Sequence, residues 1–520
     1  MASLGPDCDL PNDQLTHVDI DPVEDPANNS VSYLAIAGTD AEICRTEETL
    51  SQNTPEQLEE LNYHSSPLLR LPADIISEIF KTYIFGKDTE FMDRYSTTSE
   101  LPGLCSSLSA RLLFGSICRA WRGLAWSLPW MWSSISLVLD HPAPDSAGLI
   151  NEWLSRSGQS ALNIKLKCDA LDEEARGTVL DIISVVSRFS ERWSHIVLDL
   201  PAPCYAALRC VEGRVPLIVF VSMGLRGAPD GLPDPLEMFS VAPKLRVVHV
   251  DKFPMHPIVL PIAQFHLLIG YQSDVTDTLG VLRTSPQLAW AMFKILEDPH
   301  PQMSDPNIHP RPTVIPNLRL LFLTLIPTSS DMNRLLDNLT LPNLHTLRLI
   351  TNDTVDDVFG HSNFISFISR SACPLQFLSI DTTSMQLNDE DLLHCLEIMP
   401  SLAELDIHLE GISSETILNL KVTPDGDPVL PNLQRLTITS ETLVLDFIEL
   451  YDMVYTRREV AYGSGGLGRS LAKLEFVRIS TLNANWESYQ LGIPSLWELL
   501  AEGMQIQLAC TQDGYQFGYG

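Results

Sequence analysis

The chain has 520 residues, 45% of them hydrophobic, which is more than one ordinary domain holds and enough for a sizeable core. Acidic residues outnumber basic ones 66 to 34, for a net charge of −32. That balance argues against nucleic acid and anionic membranes as partners, because lysine and arginine supply the affinity for phosphate. The ten cysteines are scattered; even the closest pair, Cys204 and Cys210, has no His or Cys neighbour at zinc-ligand spacing. Free thiols in a reducing compartment follow. The N-terminus lacks a basic region followed by an apolar core, and no stretch approaches the ~20 apolar residues of a membrane helix. The expected location is cytoplasmic, nuclear or both.

Residues 1–66 carry fourteen Asp or Glu against one basic residue, Arg45. Such a segment buries too little apolar area to offset its ordering entropy, so an acidic, mostly disordered tail is expected. A helical segment follows at Leu71-Pro72-Ala73-Asp74-Ile75-Ile76-Ser77-Glu78-Ile79-Phe80, with proline in its first turn, where the missing N–H does no harm. Ile75, Ile76, Ile79, Phe80, Tyr83 and Ile84 recur at helical spacing, so one stripe must bury against something. A second such segment holds Leu113, Phe114, Ile117, Trp121 and Leu124, then Pro129 and Trp132. Two short helices cannot hide that much apolar surface by themselves.

The two segments together, Leu-Pro-x-x-Ile-Ile-x-x-Ile-Phe and Ile-Cys-Arg-x-Trp-Arg-x-Leu-Ala-x-x-x-Pro-x-x-Trp, resemble an F-box of the kind common in fungal proteins. The resemblance implies a three-helix module over residues 67–137 that docks on a Skp-family adaptor and, through it, on a cullin. The matching positions, and hence the implied adaptor contacts, are Leu71, Pro72, Ile75, Ile76, Ile79, Ile117, Cys118, Trp121 and Leu124. Residues 87–110 depart from it, being longer and more polar than in the shortest F-boxes.

His141-Pro142-Ala143-Pro144 breaks the helical region and marks a linker over 138–159. Beyond it a template recurs: Leu-x-x-apolar-x-apolar, usually with a proline two residues earlier. It appears as Leu245-Val248-Val250, Leu318-Leu321-Leu323, Leu344-Leu347-Leu349, Leu375-Leu378-Ile380, Leu402-Leu405-Ile407, Leu433-Leu436-Ile438 and Leu471-Leu474-Phe476, with a weaker copy at Leu288-Ala291-Phe293. The alternating last positions are those of a half-buried strand. Helical segments lie between the strands at Met332–Leu339, Phe364–Ser369, Asp389–Ile398 and Leu443–Tyr455. Earlier strands are expected at 162–166, 195–200 and 217–221, with a closing helix at 497–504 and strand at 506–508.

First positions fall 26 to 31 residues apart between 288 and 433, which resembles a leucine-rich repeat. The fold class expected is therefore α+β: a three-helix F-box module followed by an irregular α/β leucine-rich-repeat solenoid over 160–510, with 511–520 as a tail. One departure is the asparagine that usually sits eight positions after the first leucine. It occurs once, as Asn352; Ile326, Thr383, Glu410 and Glu441 stand elsewhere. The turn carbonyls must then find other donors.

No enzyme signature survives its context, and no cofactor or metal is expected. Gly463-Ser464-Gly465-Gly466-Leu467-Gly468 fits the dinucleotide fingerprint by letter, but it follows a helix and precedes a strand, the reverse of what the chemistry needs. His300 and His309 lie near Asp298 and Asp305 in a proline-rich stretch that reads as a surface loop. The function expected is that of a substrate-recognition subunit of an SCF-type (Skp, cullin, F-box) ubiquitin ligase, with a non-catalytic repeat scaffold as the alternative. In leucine-rich repeats the residues between the buried strand positions line the binding face. Arg348, Asp406, His408, Arg435, Thr437, Lys473 and Glu475 are the expected contacts with an unidentified protein target.

Overall fold

The computed structural model of the chain describes residue 57 and residues 70–85, 108–228, 232–233, 235–251, 253, 258–296, 312–325, 329–351, 357–358, 360–382, 385–410, 412–423, 426–462, 471–510 and 515–517. The acidic tail (Gln57 excepted), most of the 87–110 insert, the His300/His309 stretch and the Gly463–Gly468 motif lie outside these residues. The chain falls into two units, Met1–Ile79 and Phe80–Gly520.

In the first unit the described chain leads into helix α1 (Ala73–Phe85). The Pro72 carbonyl accepts the N–H groups of Ile75 and Ile76 at 3.0 and 3.1 Å, and Asp74 places a carboxylate in the first turn, where the helix dipole favours it. Ile76 is buried, whereas Ile75 and Ile79 are 50% and 38% exposed.

The second unit opens with the last residues of α1, from Phe80, followed by helices α2 (Leu108–Ile117) and α3 (Arg119–Ser127). Cys118 caps α3, its Sγ accepting the Trp121 N–H at 3.4 Å. Phe80 stacks on Phe114 at 4.0 Å and meets Trp121 edge-on at 5.2 Å. A 3₁₀ turn, Pro129–Trp132, follows. Trp132 packs edge-on against Trp153 at 4.7 Å, and the Arg156 guanidinium lies 4.9 Å from its ring. Those contacts tie the helical segment to helix α4.

From Ser134 onward strands and helices alternate: β1 (Ser134–Val138), α4 (Ser146–Arg156), β2 (Leu162–Lys167), α5 (Glu173–Ser187), β3 (Trp193–Pro201), α6 (Ala202–Ala207), β4 (Phe220–Arg226) and β5 (Val247–Asp251). Next come β6 (Leu267–Ser273), α7 (Val275–Thr284), β7 (Trp290–Ile295), β8 (Thr313–Val314), β9 (Leu320–Leu325), α8 (Ser329–Asp337), β10 (Leu339–Thr340) and β11 (Thr346–Thr351). They are followed by β12 (Asp357–Val358), α9 (His361–Ser371), β13 (Phe377–Thr382), β14 (Met385–Gln386), α10 (Asp389–Glu397), β15 (Glu404–Leu409) and α11 (Ser414–Asn419). The last are β16 (Arg435–Leu445), α12 (Phe447–Tyr462), β17 (Phe476–Ala484), α13 (Trp486–Ala501), β18 (Gln505–Cys510) and β19 (Tyr515–Phe517).

Fifteen strands form one sheet, ordered β1-β2-β3-β4-β5-β6-β7-β9-β11-β13-β15-β16-β17-β18-β19. Sheet order follows chain order, and every pair is parallel until β19 turns back on β18. β8 with β10 and β12 with β14 make two-stranded parallel accessories. Each unit therefore pairs only with its neighbours, which is the α/β solenoid of the leucine-rich-repeat kind.

The template leucines are the core. Leu245, Leu288, Leu318, Leu344, Leu375, Leu402 and Leu433 are all buried, in one cluster with helix residues such as Leu335, Phe364, Leu392 and Ile417. The proline two residues earlier has a local reason. It occupies the second position of a β-turn, where its fixed φ fits. The turn closes with the N–H of the leucine donating to the residue before the proline, as Leu245 to Ala242, Leu288 to Ser285, Leu344 to Leu341, Leu402 to Met399 and Leu433 to Leu430, at 3.1–3.2 Å.

A side-chain ladder stabilises these turns. Asn317 donates to the Pro286 carbonyl of the preceding unit at 2.8 Å, Asn343 to Pro316 at 2.7 Å and Asn432 to Pro400 at 2.9 Å, while the Ser401 hydroxyl donates to Leu375 at 2.9 Å. The donors missing eight positions after each leucine are thus supplied one position before it.

Three boundaries differ from the sequence reading. The sheet begins at Ser134, inside the stretch assigned to the F-box module, and the supposed linker 138–159 contains α4, whose Ile150 and Leu154 belong to the core. The tail 511–520 supplies β19. In the last template copy the register is three residues off: Val477 and Ile479 pair with Leu436 and Ile438, so the repeat reads Leu474-Val477-Ile479. Leu471 is only half-buried, whereas Leu474 is fully buried.

Leu344→Ala removes a fully buried side chain and should destabilise the protein by about 2–5 kcal/mol. Asn343→Ala, one residue earlier, loses a single exposed hydrogen bond and should cost about 1 kcal/mol. Urea unfolding of the two variants checks the order.

Candidate binding surface

The sheet has one face packed under the helices and one open face. Val197 and Phe220, with Val247 against them, form a hydrophobic cluster separate from the main core, as alternation across a strand requires. Two rows run across the open face in register. The first is His195, Phe220, Val247, Leu267, Trp290, Leu320, Thr346, Phe377, Glu404, Arg435, Phe476 and Gln505. Met292, Phe322, Arg348, Ser379, Asp406, Thr437 and Arg478 continue the second.

From β13 onward the open face is mostly polar, Phe377 and Phe476 excepted, and several of its polar side chains pair with one another. His408 lies 3.0 Å from Asp381, Arg435 lies 3.4 Å from Glu404, and Ser379 donates to Asp406 at 3.2 Å. The Arg435 guanidinium also covers the Phe476 ring at 4.3 Å. At the other end Arg226 pairs with Asp199 through two guanidinium nitrogens, which raises its pKa, and Lys167 pairs with Asp169 at 2.8 Å. Gly224 leaves room for that pair: a Cβ there would lie 2.8 Å from Asp199 Oδ1.

Between these ends the face is apolar. Val247, Leu267 and Met292 are half-buried, Leu320 and Phe322 are buried by their neighbours, and Trp290 is 49% exposed. His195 stacks on Phe220 at 6.0 Å, and His249 Nδ1 meets Ser222 Oγ at 3.0 Å. Burial pushes both imidazoles below their ordinary value of 6.5.

Of the seven target contacts expected from sequence, Arg348, Asp406, His408, Arg435 and Thr437 lie on strands and share the open face. Lys473 and Glu475 do not: they precede β17, because the register of that repeat was misread, and Arg478 takes the place beside Thr437. The apolar middle of the face was missed. Its signal was present, since the third template position holds Val247, Trp290, Leu320 and Phe377 where a solvated strand would carry polar residues.

The nine residues matched to the F-box motif divide. Pro72, Ile75, Ile79 and Ile117 are exposed, and Leu71, Cys118 and Leu124 are half-buried. Ile76 and Trp121 are buried. Leu112, Leu113 and Trp126, absent from that set, are 53%, 43% and 51% exposed.

Among the described residues no group of three or more His, Cys, Asp or Glu is arranged to hold a metal, and no helix is long and apolar enough to cross a membrane. The described cysteines are free. Burial pushes the thiols of Cys204 and Cys395 up to about 12 and that of Cys168 to about 11, away from the thiolate that a nucleophile needs. A cleft of about 560 Å³ between α12 and α13 is lined by Tyr451, Tyr455, Arg458, Glu498 and Glu502, and Arg458 is engaged by Glu502 at 3.1 Å.

No protein-family model matches the chain, and no curated protein matches it. Among solved structures it is similar to the leucine-rich repeat-containing protein LegL7 from Legionella pneumophila, at 11% identity and a TM-score of 0.28, over 67% of this chain and 91% of that one. A likeness this weak adds nothing to the fold, which rests on the sheet itself.

Because the folded imidazoles of His195 and His249 titrate below the unfolded value, they favour the fold above pH 6.5. That contribution is lost as pH falls through 6.5 toward the lowered values. Thermal melts at stepped pH should show the loss, and His249→Gln should make it shallower.

Proposed function

We propose that this chain is the target-binding subunit of an SCF-type ubiquitin ligase. In this reading the Leu71–Trp132 motif docks on a Skp-family adaptor, itself held by a cullin, and the repeats hold a protein target. The observation that carries the reading is the division of α1. Ile76 is buried while Ile75 and Ile79 stay exposed, so the helix keeps an apolar surface after its own packing is complete. Exposed apolar side chains at helical spacing mark an association site. Such a subunit makes and breaks no bonds and needs no cofactor. Its contribution is proximity, raising the effective concentration of the target near a charged enzyme. The reading places it in the cytoplasm or nucleus, with no nucleic-acid or membrane partner. The open-faced repeat array by itself also supports a coarser alternative, an interaction scaffold without a role in ubiquitin transfer.

Co-expression of the full chain with a Skp-family adaptor, followed by size-exclusion chromatography, separates the two. A one-to-one complex is the expected result. Ile79→Asp should abolish it and leave the thermal unfolding of the repeats unchanged, since a charge left uncompensated in an apolar interface costs about 3–5 kcal/mol. Failure of the wild-type chain to bind any adaptor of the family would leave the scaffold.

A further inference from the structure

The apolar middle of the open face is edged by positive charge in a chain of net −32. On strands β5, β6, β7, β9 and β11 the basic side chains are Lys294 and Arg348, and the one carboxylate is Asp251 at the end of β5. Along the rim, one position before the first open-face row, stand the cations Arg246 and Arg319; Arg246 also donates to the carbonyls of Pro243 and Leu245. Of the acids on the neighbouring strands, Glu404 is paired with Arg435, Asp381 lies against His408, and Asp406, two strands from Arg348, accepts from the Ser379 hydroxyl and keeps its charge.

Arg348 marks the junction of the two chemistries. Its guanidinium lies over the Phe322 ring at 6.0 Å, and its Nε is buried with no acceptor among the described residues. Trp193 Nε1 and Arg458 Nε are buried without an acceptor among the described residues in the same way; what distinguishes Arg348 is its place beside Phe322 at the edge of the apolar rows. A carboxylate suits a guanidinium best.

We propose that the open face of β4 to β11 binds an acidic, extended peptide segment of a target protein. Its apolar side chains seat on Trp290, Leu267 and Met292, the exposed and half-buried members of the apolar rows, and its carboxylates meet Arg319 and Arg348. This deepens the ligase-receptor reading and rests on it only for the role of the bound protein. The width of the patch fits. Six strands about 4.8 Å apart span roughly 24 Å, the reach of about seven extended residues. Attraction of unlike charges gives the orientation and the on-rate, and the apolar row gives the affinity.

The test uses the full chain, with the adaptor co-purified where it binds, and fluorescence anisotropy of a short fluorescein-labelled peptide of alternating glutamate and phenylalanine or leucine. The same peptide with lysine for glutamate, and with serine for the apolar residues, serves as comparison. The acidic apolar peptide should bind, both comparison peptides should fail, and affinity should fall as salt rises. Arg319→Glu and Trp290→Ala, each at an exposed position and each checked by thermal melting, should weaken binding about tenfold or more. Arg478→Glu, on a distant strand of the same face, should leave it unchanged. Absence of binding by the wild-type chain, equal binding of the lysine peptide, or an Arg478→Glu effect as large as that of Arg319→Glu would overturn the proposal. Adaptor capture by the same preparations is read separately, so loss of the ligase reading and loss of this site give different results.

Discussion

At the start of nearly every strand one backbone carbonyl accepts two successive N–H groups of the next strand. The carbonyl of Arg246 takes those of His266 and Leu267, His266 takes Ala289 and Trp290, and Ala289 takes Arg319 and Leu320. The pattern continues through Arg319, His345, Gln376, Ala403 and Gln434, with distances of 2.8–3.2 Å. Together with the proline turn just upstream, this fork fixes the register of each parallel pair before any side chain is considered. Register decides the rest, because a slip of one residue exchanges the two faces of a strand. It would carry Trp290 and Lys294 under the helices and expose Ala291, Phe293 and Ile295. Core and binding surface are therefore two readings of one constraint.

That coupling explains what was legible in the sequence. A buried leucine has no tolerance for a polar substitute, so the Leu-x-x-apolar-x-apolar template stands out even where the copies are irregularly spaced, and the main-sheet strands from β7 to β16 fall where the template places them, whereas the helix expected at Leu443–Tyr455 starts only at Phe447, Leu443 to Leu445 still belonging to β16. The proline turns were legible for the same reason, being a local demand on φ. What failed was the last copy, where Leu471, Leu474 and Phe476 satisfy the template as well as Leu474, Val477 and Ile479 do. Only pairing with β16 separates the two. The first strand and α4 were hidden by His141–Pro144, whose prolines read as a linker but break the chain only between β1 and α4.

The binding face was harder to read because its chemistry comes from different repeats. Phe322 and Arg348 are 26 residues apart in the chain and become neighbours only through the pairing of β9 with β11. No pattern in the sequence joins them. The same holds at the other end of the array. Arg457 is wholly buried and donates to the carbonyls of Leu420 at 2.7 Å, Leu430 at 3.0 Å and Val429, and burial lowers its pKa to about 10. Leu430, whose φ of 54° is costly for a branched side chain, is held there from two sides, by that guanidinium and by the N–H of Leu433.

An array built this way separates stability from recognition. The helix-side face carries the core, so the open face is constrained only by its own neighbours along the sheet. Polar residues there can pair with one another, as Asp381 with His408 and Glu404 with Arg435 do. A stretch that stays apolar, edged by Lys294, Arg319 and Arg348 and holding an Arg348 Nε with no acceptor among the described residues, gains little from the fold's own hydrogen bonding. Leaving such a group unsatisfied works against folding, and what offsets it is the register of the leucines on the other side of the same strands. The cost of that surface is met by the core, and the benefit of it arises only when something else binds.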